Sequence, residues 1–431
     1  MKKFFKKIII YILKIESQLV LRKYKPKVIA ITGSVGKTST KDAVYAVLSA
    51  VSYVRKSEKS YNSEIGLPLA ILGIPNGWNN LKIWLKNIFT GLWLFIYPHK
   101  YPKWLILEVG VGHPGDMHST ALWLKTDAVI ITAIGETPAH IEFFDSRKHL
   151  IEEKSSLIKT LKKEGLLFLN ADDEDVLQMK SKTKSRTITY GFSPGADVAG
   201  SDERILYDDS SLPEGISFRV DEEGKSLPVV IEGVFGRNHL YASLAALALS
   251  AGLKLNMISA IGALKNYDVP PGRMRLLKGT WDSLILDDTY NSSPAACISA
   301  LTTLGQIKPS GRKIAVLGDM LELGRHTIEA HKNIGKIAKN NVDMLIVVGA
   351  RAKSIKEGAK EAGMDENNIL EFADSTETGK HLKTFVQKGD LVLIKGSQGM
   401  RMERAVEAIL KDKKNKKKLL VRQDAEWLKK K

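Results

Sequence analysis

The segment Gly33-Ser34-Val35-Gly36-Lys37-Thr38-Ser39 combines residue types and a spacing that suit the binding of a phosphate chain. Glycines let the backbone fold closely around a phosphate, and the amide groups at the start of the following helix point at it. We expect Lys37 to neutralise the β- and γ-phosphates of ATP and the Thr38 hydroxyl to reach Mg²⁺. The loop is shorter than the usual phosphate-binding loop, because Ile31 stands where the first glycine would fall.

A second candidate group, Glu108, lies near the end of the apolar run at 104–110, which predicts a strand. We expect this strand to lie close to the one that precedes the phosphate-binding loop. A carboxylate suits Mg²⁺, which is a hard cation that prefers oxygen ligands. We therefore predict that Glu108, like Thr38, is a magnesium ligand; the alternative is a solvated glutamate at a strand end.

Short apolar runs that end in polar residues or glycine predict the strands that position these groups. They cover residues 28–32, 104–110, 127–135, 165–170, 313–318, 344–349 and 391–396. Helical patterns lie between many of them, which predicts an α/β fold with mainly parallel sheets. In open sheets of this kind ligands bind beyond the carboxyl ends of the strands, where most of the candidate residues fall.

The chain divides into four predicted parts. Residues 1–27 form a basic amphipathic segment, and residues 28–272 form a central ATP-binding domain with a small antiparallel β insertion at 185–231. The helix-breaking stretch Val269-Pro270-Pro271-Gly272-Arg273 is predicted to be a linker. A second α/β domain follows at 273–410, and residues 411–431 form a basic tail.

The net charge of +17 is concentrated at the two ends of the chain. Nine Lys and Arg residues oppose one Glu in 1–27, and ten oppose three acidic residues in 411–431, so the part between them is close to neutral. This distribution argues against a nucleic-acid-binding domain, which would carry its basic face on the fold itself. Basic ends favour solvated tails or contact with an anionic membrane surface.

Two apolar segments leave the question of membrane contact open. One is the run from Ile8 to Leu13, flanked by lysines, and the other is the aromatic stretch at 84–97 beside Lys82, Lys86 and Lys100. Both are too short to span a bilayer, so they predict either interfacial anchors or helices packed on the protein body. The single cysteine, Cys297, excludes a disulfide framework and a multi-cysteine zinc site, and favours a reduced, cytoplasmic compartment.

Several motifs in a fixed order resemble those of the Mur ligase family between residues 28 and 410. Besides the phosphate-binding loop, they are Asn62-Ser63-Glu64-Ile65-Gly66-Leu67-Pro68, Glu108-Val109-Gly110-Val111-Gly112-His113-Pro114-Gly115, Asp288-Thr289-Tyr290-Asn291-Ser292-Ser293-Pro294, Gly318-Asp319-Met320-Leu321-Glu322-Leu323-Gly324 with His331, and Lys395-Gly396-Ser397 with Met400 and Glu403. They are most similar to the members that add D-alanyl-D-alanine to a muramoyl-peptide precursor of peptidoglycan. The resemblance implies a Rossmann-like C-terminal domain and an ATP-dependent ligase that forms an acyl phosphate and joins it to an amine.

The resemblance also implies roles for individual residues. His140 and a lysine carbamylated by CO₂, Lys154, would hold a second Mg²⁺ ion. Nucleotide contacts are implied for Asn238, His239, Arg273, Asp288 and Asn291. Substrate contacts are implied for Asn62, Glu322, His331, Lys395 and Ser397.

The sequence departs from the family pattern in two places. The stretch Gly236-Arg237-Asn238-His239 exchanges the His and Asn of the family, and Ala242 replaces a later Asn, which puts the adenine contacts in doubt. Only 27 residues precede the first strand, so we expect the usual uridine-nucleotide-binding domain to be missing.

Three alternatives to this activity remain open at this point. The first is a Mur-type ligase that acts on a lipid-linked acceptor. The second is a ligase of the folylpolyglutamate-synthase or cyanophycin type. The third is a non-catalytic ATP-binding protein at the membrane, which intact Lys37, Thr38, Glu108, His140 and Lys154 disfavour.

Overall fold

The computed structural model of the chain describes residues 3–58, 61, 63–135 and 141–429. Two predicted site residues, Asn62 and His140, therefore lie outside the described residues. The described chain forms two sheets, one of nine strands and one of six, and each is covered by helices.

The larger sheet contains the phosphate-binding loop. Its strands are β1 (Lys27–Thr32), β2 (Val54–Lys56), β3 (Trp104–Glu108), β4 (Thr126–Ile131), β5 (Leu161–Asn170), β6 (Thr187–Gly191), β7 (Val198–Tyr207), β8 (Pro213–Glu222) and β9 (Lys225–Glu232). Their order is β2-β3-β1-β4-β5-β6-β7-β8-β9, parallel as far as β7 and antiparallel over β7, β8 and β9. Because β1 lies between β3 and β4, the loop that follows β1 has the carboxyl end of a parallel strand on each side.

Nine α-helices accompany this sheet among the described residues. They are α1 (Lys3–Tyr24), α2 (Lys37–Ser49), α3 (Gly66–Leu72), α4 (Leu81–Ile96), α5 (Asp116–Ala121), α6 (Arg147–Ser155), α7 (Glu174–Gln178), α8 (Arg237–Gly252) and α9 (Met257–Leu264). Alternation along β1 separates two cores: Ile29 and Ile31 pack with α2, α8 and α9, whereas Val28 and Ala30 pack with α1, α3, α4, α5 and α6.

The smaller sheet is reached through the linker at 269–273. Its strands are β10 (Arg275–Lys278), β11 (Leu284–Asp288), β12 (Lys313–Gly318), β13 (Met344–Val348), β14 (Ile369–Phe372) and β15 (Leu391–Lys395), in the order β10-β11-β15-β12-β13-β14. Only β10 runs antiparallel. Its helices are α10 (Pro294–Gln306), α11 (Thr327–Lys339), α12 (Lys353–Glu361), α13 (Ser375–Phe385), α14 (Glu403–Ile409), α15 (Lys416–Leu419) and α16 (Ala425–Leu428). The predicted α/β class with mainly parallel sheets is confirmed. Within the insertion predicted at 185–231 the strands β7, β8 and β9 are antiparallel, whereas β6 is parallel to β5 and β7, so the antiparallel prediction is wrong for β6.

The two ends of the described chain pack on the fold. Near the carboxyl end, Leu420, Val421 and Arg422 are buried against the smaller sheet's domain, although the charge pattern predicts a tail there. At the amino end, α1 packs on α3 and α4. Among the described residues, none of the helices combines the length and hydrophobicity needed to cross a bilayer.

Candidate active site

Two glycines shape the phosphate-binding loop. Gly33 has a φ of 145°, and a Cβ atom there would lie 1.9 Å from Thr132 Oγ1. Gly36 has a φ of 84° and directly precedes α2. The amides of Ser34 and Val35 both donate to the carbonyl oxygen of Ala133, at 2.8 and 3.1 Å. The loop is therefore hydrogen-bonded to the residues that follow β4. The amides at the start of α2 have no acceptor within the helix and are available to bind phosphate.

Lys37 bends back over its own loop. Its Nζ donates to the carbonyl oxygens of Gly33 and Ser34, at 2.8 and 3.4 Å. Burial lowers the pKa of Lys37, and the nearby Glu108 carboxylate partly opposes that shift. The Lys37 amine is thus held at the loop, where it would contact phosphate groups bound by the amides at the start of α2.

Thr38 and Glu108 meet at the ends of adjacent elements. The Thr38 hydroxyl donates to Glu108 Oε2 at 3.0 Å, and Lys41 Nζ lies 3.5 Å from the same oxygen. Both Lys41 and Glu108 are buried. A hydroxyl and a carboxylate at the phosphate loop fit Mg²⁺, which takes one or two protein oxygens and completes its shell with water and phosphate. No cluster of three or more His, Cys, Asp or Glu side chains suited to a metal occurs among the described residues.

Lys154 approaches the same loop from α6. Its Nζ donates to the Gly33 carbonyl oxygen at 3.1 Å, and its side chain is buried. Burial and the positive charge of Lys37 hold the pKa of Lys154 well below its usual range. Its neighbour Glu153 accepts bonds from the amides of Met117 and His118, at 2.7 and 3.3 Å, and so ties α6 to the start of α5. A buried amine that readily loses its proton therefore sits beside the phosphate site.

One cleft between the two domains joins the loop to the predicted nucleotide residues. It is lined by Ser34, Val35, Gly36, Ser39, Asn238, His239, Arg273, Met274, Asp288, Asn291, Ser292, Ser293, Ala296 and Lys395. All five residues predicted to contact nucleotide from outside the loop line this cleft. Lys395, for which the resemblance implies a substrate contact, lies there as well.

Arg273 connects the linker to both sides of the cleft. Its Nη2 donates to Thr38 Oγ1 at 3.3 Å, and its guanidinium carbon lies 3.9 Å from the centre of the Tyr290 ring. The backbone carbonyl of Arg273 is 2.8 Å from His239 Nε2. A single residue thus contacts a predicted magnesium ligand and an aromatic ring of the second domain.

His239 uses both of its ring nitrogens within the protein. Nε2 is bonded to the Arg273 carbonyl, and Nδ1 lies 2.9 Å from the Tyr267 hydroxyl. Burial lowers the pKa of His239 to about 4, so the ring is neutral, donates from Nε2 and accepts at Nδ1. Its ring therefore anchors the linker, whereas Asn238 is half-buried beside it in the cleft.

Lys395 is buried at the end of β15 and paired with the end of β11. Its Nζ donates to Asp288 Oδ2 at 2.6 Å and to the Asn291 carbonyl oxygen at 2.9 Å. Asp288 Oδ1 also accepts a bond from the Met274 amide at 3.2 Å. These contacts give the second domain's side of the cleft a fixed, nearly neutral ion pair.

Ser397 and His331 hold the loop that carries Glu322. The Ser397 hydroxyl accepts a bond from the Leu321 amide at 2.9 Å, and His331 Nε2 accepts one from the Met320 amide at 3.0 Å. Glu322 itself is exposed and has a φ of 62°. The same loop reaches the central domain, where a Cβ atom on Gly324 would lie 3.3 Å from that of Glu142.

Two functional candidates were missed by the sequence reasoning. Lys41 lies one helical turn after Lys37, which could have indicated that it shares the site with Glu108. Arg422, hidden in the basic carboxyl-terminal stretch, donates to the Thr289 carbonyl oxygen at 3.1 Å, to that of Tyr290, and to Glu403 Oε2 at 2.8 Å. It thereby holds the loop that follows β11.

A larger cavity of about 730 Å³ opens beside the cleft. Arg237 lines it from the central domain, and residues of α10 and α11 line it from the second domain. Because the start of α10 borders both the cleft and the cavity, a ligand could extend from one into the other.

Comparisons with known proteins agree with this architecture. The family models described as "Mur ligase middle domain" and "Mur ligase, glutamate ligase domain" match residues 31–250 and 272–398. The UDP-N-acetylmuramoyl-tripeptide–D-alanyl-D-alanine ligase of Bacillus subtilis is 30% identical over 393 residues, which cover 90% of this chain and 77% of that protein. The ligase of the same name from Escherichia coli is 26% identical, with coverages of 89% and 76%.

A solved structure extends the similarity to three dimensions. The crystal structure of MurF ligase from Thermotoga maritima in complex with ADP has a TM-score of 0.76 and 27% identity, and the alignment covers 93% of this chain and 83% of that one. The predicted class of enzyme, an ATP-dependent carboxylate–amine ligase, is confirmed by these similarities. The chain belongs to the Mur ligase family.

Proposed function

We propose that this chain adds D-alanyl-D-alanine to a muramoyl-peptide precursor in peptidoglycan synthesis. The relatives from Bacillus subtilis and Escherichia coli carry that activity in their names, at 30% and 26% identity. The observation that carries the proposal is that the phosphate-binding loop, to which Lys37 and Lys154 are bonded, lines one cleft together with Asp288 and Lys395 of the other domain.

The reaction proceeds in two steps. A substrate carboxylate oxygen bonds to the γ-phosphorus of ATP, the bond to the β-γ bridging oxygen breaks, and ADP leaves. The amine of D-alanyl-D-alanine then attacks the acyl phosphate carbonyl, loses a proton, and phosphate leaves. Lys37 and the amides at the start of α2 bind the transferring phosphoryl group and offset its charge.

Magnesium supplies charge neutralisation of the phosphates when bound. Thr38 and Glu108 would hold one Mg²⁺ ion, and Lys154 together with His140 would hold a second. For Lys154 to do so, its neutral amine would add to CO₂ and release a proton, which creates a carbamate anion. The lowered pKa and the burial of Lys154 favour the neutral amine that this addition requires.

The nucleotide would occupy the cleft and extend its base toward the larger cavity. Arg273 and Asn238 would contact the phosphates or ribose from the linker and from the start of α8. His239 would act indirectly, through the Arg273 carbonyl that it holds. Asp288 and Asn291 would act through the ion pair with Lys395.

The amine substrate would bind near Glu322, whose carboxylate attracts an ammonium group. His331 and Ser397 would position Glu322 through the two amides that precede it. Because Gly324 lies against Glu142, this loop faces the segment that follows His140. Asn62, from the same motif set, remains a proposed substrate contact on the central domain.

The enzyme would work in the cytoplasm, where ATP and nucleotide-linked precursors are available, with peripheral contact at an anionic membrane surface. A lipid-linked acceptor is the second candidate substrate, and the exposed apolar helices α1 and α4 favour it.

Phosphate release with a matrix of substrates tests the proposal. UDP-linked and lipid-linked muramoyl tripeptides are each combined with D-alanyl-D-alanine, L-alanyl-L-alanine or L-glutamate. Release that needs a muramoyl peptide and D-alanyl-D-alanine together supports it. Release with glutamate and a non-muramoyl acid would replace it with a ligase of another substrate class.

A further inference from the structure

The outward sides of α1 and α4 carry exposed apolar side chains. We call this set of side chains the α1–α4 surface, and it consists of Ile8, Tyr11, Ile15, Leu85, Phe89, Leu92, Trp93 and Ile96. All eight side chains are exposed, and they come from two helices that pack against each other. Large exposed apolar patches mark interaction sites in proteins that are otherwise well folded.

The distribution of polar and apolar residues on α4 differs from that of a solvated surface helix. Its inward side carries Trp84, Asn87 and Gly91, which are buried. Its outward side carries apolar residues, of which Phe89 is 66% and Ile96 63% exposed. A helix on a water-facing surface places polar residues outward, so α4 is built to be covered on its outer side as well.

The two helices are firmly joined, so the surface is preformed. Lys23 Nζ donates to the carbonyl oxygens of Phe95 and Tyr97, at 2.6 and 2.7 Å, and the Tyr24 hydroxyl donates to that of Leu94 at 2.9 Å. These bonds satisfy the carbonyl groups at the carboxyl end of α4, which have no partner within the helix. The apolar side chains are therefore presented by a fixed scaffold.

The exposed charged residues of α1, of α4 and of the segment just after α4 are all positive. Lys7, Lys82, Lys86, Lys100 and Lys103 are exposed on the two helices or just after α4. The only acidic residue in 3–27 and 81–103 is Glu16, and it is buried between the helices. A partner must therefore offer both an apolar interior and negative charge at its edge.

We propose that the α1–α4 surface docks on a bilayer that contains anionic lipids, with both helices lying along the membrane plane. Acyl chains would cover the apolar side chains, and anionic head groups would meet the lysines. A second copy of the chain would instead bring lysines against lysines. At 16 residues α4 is about 24 Å long, shorter than the roughly 30 Å hydrocarbon core, which agrees with a helix in the interface.

Flotation with lipid vesicles tests this proposal on the full chain. We expect the protein to float with vesicles of phosphatidylcholine and phosphatidylglycerol, and to stay behind with phosphatidylcholine alone or at high salt. Phe89→Ser should lower the affinity for the mixed vesicles about tenfold. The matched control is Ile258→Ser, because Ile258 is 69% exposed on α9, away from this surface.

Charge reversal gives a second, independent arm. Lys82→Glu with Lys86→Glu should lower the affinity by at least about tenfold, whereas Lys380→Glu with Lys383→Glu on α13 should leave it unchanged. Thermal unfolding and phosphate release from soluble substrates verify that each variant is folded, and they separate this proposal from the ligase function. Equal vesicle binding by the wild type and Phe89→Ser would overturn the proposal. So would a dimer that Phe89→Ser dissociates while vesicle binding is absent.

Discussion

The amine of Lys154 lies 3.1 Å from the carbonyl oxygen of Gly33, so the last turn of α6 is bonded to the first residue of the phosphate-binding loop. This contact puts a buried amine of lowered pKa beside Lys37. The two residues that this hydrogen bond joins are 121 positions apart in the sequence. The proposed carbamate at this position can be tested directly.

Lys154→Ala should lower kcat about a hundredfold or more, because the proposed carbamate anion beside the phosphoryl group cannot form. Removal of CO₂ from the wild-type enzyme should lower activity, and bicarbonate should restore it. Lys148→Ala, an exposed lysine on the same helix, is the control and should keep activity and CO₂ dependence. Unchanged rates in Lys154→Ala would rule out a carbamate role.

Thr38→Val should raise the Mg²⁺ concentration needed for half-maximal activity by about tenfold or more, because the proposed hydroxyl ligand is removed. Thr38→Ser keeps the hydroxyl 3.0 Å from Glu108 and should behave like the wild type. Titration of phosphate release with magnesium measures both. If Val and Ser variants share one magnesium dependence, Thr38 is not a ligand.

Arg422 is expected to position the loop after β11. Arg422→Ala leaves Glu403 buried without that partner and should reduce the free energy of unfolding by about 3 kcal/mol. It should also raise the KM for ATP, because Arg422 holds the backbone of Tyr290, and the Tyr290 ring packs against Arg273 in the cleft. Arg422→Lys keeps the charge but not the forked donor, so it should recover stability more than KM.

The matched control for Arg422 is Lys417→Ala, which changes an exposed residue of the same carboxyl-terminal stretch. Denaturant unfolding and ATP saturation curves are measured for all three variants. If Arg422 had a purely structural role, Arg422→Lys would restore stability and the KM for ATP together. We expect instead that stability recovers more than the KM.

Glu16 is buried at the α1–α4 contact, and neither of its carboxylate oxygens has a hydrogen-bond partner among the described residues. Burial raises its pKa from 4.5 to about 7. Over that range the folded state binds more protons than the unfolded state, so this group's contribution to stability falls as pH rises from about 4.5 to about 7. Glu16→Gln should therefore raise the Tm increasingly above that of the wild type across this range.

The control for Glu16 is Glu164→Gln, which changes an exposed carboxyl on β5. Calorimetry at several pH values gives both differences. A pH-independent difference for Glu16→Gln would mean that the carboxyl does not titrate in this window.

Local motifs predicted the strand–loop–helix around Lys37 and the α/β class, because glycine positions and apolar runs act over a few residues. The contacts of the loop to Ala133 and of Lys154 to Gly33 depend on strand order, which periodicity alone does not specify. The motif around His239 likewise does not indicate that both ring nitrogens are bonded within the protein, to Tyr267 and to the Arg273 carbonyl. The burial of Arg422 was not predicted, because it follows a run of lysines that is typical of a solvated tail.

Under the proposed function, both domains cooperate in ATP-driven amide formation on a muramoyl peptide. The most direct measurement follows phosphate release and product mass in one reaction with ATP, Mg²⁺, UDP-linked or lipid-linked muramoyl tripeptide and D-alanyl-D-alanine. We predict that phosphate and a dipeptide-extended product appear in equal amounts only when all components are present. Phosphate release without the extended product, or no release with either acceptor, would contradict the account.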